Sequence, residues 1–195
     1  MLQPLFGGTL QCQVPINLVD VSNFRQVPDH QEVFVTPDSD DATLSVEIVE
    51  HSEQVEDAKA SQYYFEDLAA GNEAQSWTIE RVGNSDAPIL QSKIVPVASV
   101  TLCAGIQYGV SKFHLAGQND LAVWLAIVRI PSHNADIILS LSLPIRPTNV
   151  VVGGAEQIFN TILSSLSIND KSLFAWEEVF LSFISVDQCD EYTFV

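Results

Sequence analysis

Asp29 and Glu32 stand three residues apart in Val27-Pro28-Asp29-His30-Gln31-Glu32-Val33-Phe34, beside a proline corner and before an apolar, strand-like run. Pro28 fixes the backbone direction, so carboxylates at this strand entrance can be aimed at Lys or Arg of a partner in charge-assisted hydrogen bonds. Gln31 lies between them as a further polar contact. Ordering acids this way costs conformational freedom that solubility alone does not require. We therefore read Pro28, Asp29, Gln31 and Glu32 as an interface. A second acidic pair, Glu66 and Asp67 in Tyr63-Tyr64-Phe65-Glu66-Asp67-Leu68, is a further candidate, although charge runs are commonly solvated faces.

Other chemistries lack their residues. Nucleophilic catalysis would draw on His30, His51, His114 and His133 with Cys12, Cys103 and Cys189, but no G-x-S-x-G elbow or comparable signature surrounds them. The three cysteines are far apart, without a CxxC pair, and read as buried, inert thiols of a reducing compartment. The short Cys and His spacings of zinc sites are missing. Asp38-Ser39-Asp40-Asp41 lacks the later Gly and Glu of a calcium loop, and Gly153-Gly154 is not followed by the Lys-Ser/Thr of a phosphate-binding loop. These observations predict a non-catalytic binding protein without metal or cofactor.

Charge narrows the partner. The net charge is −17, and residues 20 to 86 hold sixteen of the twenty-five acids but only three cations, Arg25, Lys59 and Arg81. Nucleic acids are bound largely by Lys and Arg that neutralise phosphates, so this composition argues against them, and equally against anionic membrane surfaces. A basic protein partner fits, and strong self-repulsion predicts a monomer. No apolar run reaches the roughly 20 residues of a membrane-spanning helix. The start Met1-Leu2-Gln3-Pro4-Leu5-Phe6 has neither a basic region nor a long apolar one, which predicts a place in the nucleus and cytoplasm.

The elements that must position these residues follow from periodicity. At 195 residues with 47% hydrophobic content, the chain suits one substantial core. Gly7-Gly8 signals a turn, and Thr9 to Val14 alternates as a half-buried strand. Asp20 to Phe24 suits a short helical turn. Glu32 to Val35 and Leu44 to Val49 read as a hairpin, and Val55 to Leu68 as a helix with an acidic outer face. Trp77 to Val82 is a strand, Gly83 to Pro96 a loop with strand fragments, and Val97 to Tyr108 is apolar without a decisive period. Leu121 to Ile130 and Ala135 to Leu143, joined by Pro131-Ser132-His133-Asn134, should form the central hairpin. Ile158, Phe159, Ile162, Leu163 and Leu166 recur at helical spacing, and Trp176, Val179, Phe180, Phe183 and Ile184 repeat that signature. The mixture predicts an α+β fold with a largely antiparallel sheet.

At these residues the sequence resembles the Ran guanine nucleotide release factor family, the small Mog-type proteins that bind the GTPase Ran. The resemblance lies in Pro4-Leu5-Phe6-Gly7-Gly8 and in Asp20 to Val35 with its Pro-Asp-x-Gln-Glu-Val core. It continues in Phe65-Glu66-Asp67-Leu68, Ala126 to Ile130, Asp136 to Leu139 and Ser172-Leu173-Phe174. It implies a PsbP-like antiparallel sheet flanked by helices on both faces, and a non-enzymatic role in releasing nucleotide from Ran during nuclear import. It also implies Ran contacts at Asp29 and Glu32, with Glu66 and Asp67 less securely transferred. A role as adaptor in trafficking a membrane protein to the cell surface is the alternative that the family carries. Residues 1–175 would form the Ran-binding domain. The departure is at the end, where residues 176–195 extend past the family's Ser-Leu-Phe block as a segment of unknown role with the spacing of an amphipathic helix.

Overall fold

The continuous apolar runs are explained by burial from two sides. The structure, a computed structural model, describes residues 2–37, 42–111, 120–145 and 152–174. A seven-stranded antiparallel sheet is built from β3 (Val19–Asp20), β4 (Gln31–Val35), β5 (Thr43–Glu50), β6 (Ser76–Asn84), β7 (Ser99–Tyr108), β8 (Leu121–Ile130) and β9 (Ala135–Pro144). Its strand order is β3-β4-β5-β9-β8-β7-β6, so the β8–β9 hairpin lies in the interior of the sheet, as its sequence predicts. All ten residues of β8 are buried. Leu121, Val123, Leu125 and Ile127 face helix α1 (Ala60–Gly71), whereas Ala122, Trp124, Ala126 and Val128 face helix α2 (Val152–Ser165). Helices therefore cover both faces, and a strand covered on both faces needs no polar alternation.

A second, three-stranded sheet joins β1 (Leu2–Leu5), β2 (Leu10–Gln13) and β10 (Ser167–Ile168) in the order β1-β2-β10. Leu5, Leu10, Cys12 and Ile168 belong to the same core as Phe34, Leu44 and Val46, so the small sheet shares the α2 side of the large one. Glycine matters at one close approach. A Cβ on Gly105 would come 2.2 Å from the Thr78 carbonyl oxygen and 3.0 Å from the Phe65 ring, and β6 pairs irregularly with β7 between Ile79 and Arg81 nearby.

Several expectations shift. Helix α1 starts at Ala60, not Val55: a 3-10 turn (Asp57–Lys59) precedes it, and the carbonyls of Ser52 and Val55 accept from Arg129. Ambiguous Val97 to Tyr108 resolves into β7, while β6 runs on to Asn84 and is followed by a 3-10 turn at Pro88–Gln91 in place of strand fragments. Strand β1 has no counterpart in the sequence reading. Cys12 and Cys103 are buried free thiols. Asp38 to Asp41, His114, Cys189 and residues 176–195 lie outside the described residues.

The interior is tied together by charge. Arg129 of β8 and Asp136 of β9 are cross-strand partners, both completely buried. The Asp136 carboxylate receives Arg129 Nε at 3.4 Å and the Tyr64 hydroxyl at 2.9 Å, and lies 2.8 Å from His51 Nδ1. The Arg129 guanidinium also donates to the Ser52 and Val55 carbonyls and pairs with Asp57 at 3.1 Å. One cation thus anchors β5's exit, the α1 entry and the central hairpin. Burial and the Asp136 charge push the Tyr64 hydroxyl well above its ordinary range. Removing one member of such a network leaves an uncompensated buried charge, which costs about 3–5 kcal/mol. We therefore expect Asp136→Ala to lose stability on that scale in urea unfolding, whereas exposed Glu66→Ala stays within about 0.5 kcal/mol of wild type. Equal effects of the two substitutions would contradict this.

Candidate functional site

The corner that carries the acids is built by short-range hydrogen bonds. The Asp20 side chain accepts the Ser22 N–H at 2.8 Å and caps a 3-10 turn (Val21–Asn23). Buried Val21 pins this turn, and its carbonyl accepts from the N–H groups of Phe24 and Arg25. Phe24 is left 77% exposed, the highest value of any large apolar side chain among the described residues. Pro28 to Gln31 then form a tight turn closed by the Gln31 N–H on the Pro28 carbonyl at 2.9 Å. The His30 carbonyl accepts the Ile48 N–H of β5, so the turn is docked onto the sheet.

The structure sends the predicted residues in different directions. Pro28 and Asp29 are exposed at the turn. Gln31 donates to Glu47 Oε2 at 3.3 Å, and His30 Nε2 lies 3.4 Å from Glu47 Oε1. Glu47, directly opposite Gln31 in the register, is a site residue that sequence reasoning missed. The signal for it was the hairpin pairing itself.

Glu32 points to the other face of β4, the side of Phe34. Its Oε1 accepts the Phe6 N–H at 2.6 Å, while Oε2 is buried and has no hydrogen-bond partner. Desolvation is the main cause that raises its pKa above the ordinary 4.5. The Phe6 N–H works against that rise, and the nearby Asp20 charge adds to it. The same environment acts on buried Cys12, whose thiol is pushed up to about 11 by burial and by Glu32. Burial raises Cys103 to about 12, so neither thiol supplies the thiolate that nucleophilic chemistry needs.

Glu66 and Asp67 are exposed on α1, which packs on β6, β7 and β8. Strands β5 and β9 separate that half of the sheet from β4, so these acids are not gathered with Asp29. Among the described residues, no group of three or more His, Cys, Asp and Glu side chains is arranged to hold a metal ion, and no helix is long and apolar enough to cross a membrane. What the corner can do is present an exposed carboxylate on a closed backbone turn, and an exposed aromatic ring, to a basic surface.

Because Glu32 holds its proton more tightly in the folded chain than in the unfolded one, its contribution to stability is greatest below pH 4.5. That contribution falls as pH rises through 4.5 toward the raised native value. Glu32→Gln removes this titration. We expect the stability of wild type relative to Glu32→Gln to decline with rising pH in urea unfolding, and a pH-independent difference would contradict the assigned environment.

The profile of the family described as Ran-interacting Mog1 protein matches residues 3–144. The zebrafish Ran guanine nucleotide release factor is 33% identical over 186 residues, covering 89% of this chain and 100% of that protein. The nuclear import protein mog1 of Schizosaccharomyces pombe is 26% identical, covering 88% and 98%. The crystal structure of the Saccharomyces cerevisiae Ran-binding protein Mog1p superimposes with a TM-score of 0.69 at 20% identity, covering 90% of this chain and 98% of that one. The fold is thus the α+β, PsbP-like arrangement that the resemblance implied. With its Pro-Asp-x-Gln-Glu corner inside the matched region, the chain belongs to the Ran-interacting Mog1 family.

Proposed function

We propose that this protein binds the GTPase Ran and promotes release of its guanine nucleotide, as a non-catalytic factor of nuclear protein import acting in the nucleus and cytoplasm. The observation that carries this reading is the exposed Asp29 carboxylate on a closed turn, in the acidic third of a chain whose relatives are named Ran guanine nucleotide release factors. Residues 1–175 would be the binding unit, working as a monomer without cofactor.

Release requires that the protein bind nucleotide-free Ran more tightly than loaded Ran. Reversing a 1:99 population to 99:1 takes about 5.5 kcal/mol of differential affinity. A carboxylate that pairs with Lys or Arg at the nucleotide pocket supplies part of that difference, because such a cation is otherwise engaged with phosphate. Glu66, Asp67 and the remaining acids act at longer range by steering a basic surface toward the corner.

The test is the rate at which purified Ran loses a fluorescent guanine nucleotide with and without the protein. Acceleration by wild type is expected, and its absence would remove the proposed activity. Truncating a desolvated charge pair costs about 2 kcal/mol or more, so folded Asp29→Ala should need roughly 30-fold more protein for the same acceleration. Unchanged behaviour of that variant would remove Asp29 from the site. The association rate should also fall as ionic strength rises, and indifference to salt would leave the acidic field without a steering role.

A further inference from the structure

The Pro4-Leu5-Phe6-Gly7-Gly8 block and the Pro28 to Glu32 block are 26 residues apart at their point of contact, yet they meet in one hydrogen bond, from Phe6 N–H to Glu32 Oε1. The turn at that bond has an unusual backbone. Phe6 has φ +48, Gly7 +66 and Gly8 +95, three successive residues in the left-handed region. Glycine adopts this region freely, but a residue with a Cβ, such as Phe6, persists there only when its surroundings enforce it. The enforcement comes from two sides. Thr9 donates its N–H and its hydroxyl to the Phe6 carbonyl, and Asn169 Nδ2 donates to the Gly8 carbonyl. Glu32 holds the other backbone polar group of Phe6, its N–H.

Neither carboxylate oxygen of Glu32 is both exposed and unpartnered. Oε1 is engaged by the Phe6 N–H and Oε2 is buried, although the residue as a whole is partly exposed. Position explains why the site needs it. β3 pairs with only Phe34 and Val35 of β4, which leaves Glu32 beyond the end of that pairing, where the Phe6 turn approaches. Gly7 is exposed, and Phe6 and Gly8 are partly so.

We infer that Glu32 is a positioning residue: its carboxylate fixes the left-handed Phe6-Gly7-Gly8 turn beside the Asp29 corner, and turn and corner together form the surface that meets the basic partner. This rests on Ran being that partner. Asp29 supplies the charge, and Glu32 supplies the shape.

Charge and shape separate in binding to purified Ran, measured with the full-length chain over a range of salt concentrations. Asp29→Asn should bind roughly tenfold or more weakly, with a flatter dependence on salt, because an ion pair is lost. Glu32→Gln keeps an acceptor oxygen for the Phe6 N–H and should bind within about threefold of wild type, on the wild-type salt slope. Glu32→Ala removes the acceptor, and Gly8→Ala opposes the left-handed backbone without touching any charge. Both should weaken binding roughly tenfold while leaving the salt slope unchanged. Hydrogen exchange at the Phe6 amide should be slow in wild type and Glu32→Gln and fast in Glu32→Ala. If Glu32→Gln weakens binding and flattens the salt slope as Asp29→Asn does, Glu32 touches the partner and the inference is overturned. It is equally overturned if Glu32→Ala binds like wild type. Failure of wild type itself to bind Ran is a distinct result, which removes the functional reading on which the inference stands.

Discussion

The buried pair of Arg129 and Asp136 is the interaction on which the arrangement of the layers depends. A charge taken out of water must be fully compensated, or the fold loses several kcal/mol. Compensation here recruits pieces from across the chain: the Tyr64 hydroxyl from α1, His51 from the exit of β5, and the carbonyls of Ser52 and Val55 from the connection between them. The central hairpin therefore dictates where α1 begins and how it lies on β6, β7 and β8. Burying charge in this way buys little net stability over an apolar core of the same shape. It does specify one arrangement, since alternatives would strand the guanidinium or the carboxylate.

Glu32 is the counterpoint. Asp136 is completely buried and has a cation, an imidazole and a phenol around it, whereas partly buried Glu32 has a single backbone N–H and a neighbouring Asp20 of the same sign. Desolvation and the Asp20 charge raise the proton affinity of Glu32 against the opposing Phe6 N–H. The central network is saturated, so its geometry is over-determined. The left-handed turn beside β4 is held by a few hydrogen bonds, from Thr9 to the Phe6 carbonyl, from Asn169 to the Gly8 carbonyl and from the Phe6 N–H to Glu32.

Much of this was legible in the sequence, and the rest was hidden for definite reasons. The runs Leu121 to Ile130 and Ala135 to Leu143 announced central strands because burial on both faces leaves continuous apolar sequence. The start of α1 was not legible, since Val55 and Ala58 continue the helical spacing while the backbone around them serves Arg129. β1 was obscured by its four-residue length and by Pro4, which an edge strand of a small sheet tolerates. At the site, an acidic corner ahead of a strand could be read, but not the directions of its side chains. The direction of Glu32 was nevertheless encoded: Phe34 is core-facing, and a period of two carries the residue two positions earlier to the same face.

The spacing of the Pro-Asp-x-Gln-Glu corner thus describes a turn running into a strand, not two prongs aimed at one target. Pro28 and the Gln31 N–H close the turn, and this leaves Asp29 outward. Gln31, the first residue of β4, faces Glu47, and Glu32 faces Phe6 on the opposite side. An apolar residue at position 32 would fill the same space without desolvating a carboxylate, so packing alone does not account for an acid there. A fixed acceptor for the Phe6 N–H accounts for a polar side chain at this position. That turn brings two glycines with positive φ to a partly exposed position beside the corner, where a partner's backbone or side chain can approach closely. Local cost of this kind is what a fold carries where the demand comes from binding and not from its own stability.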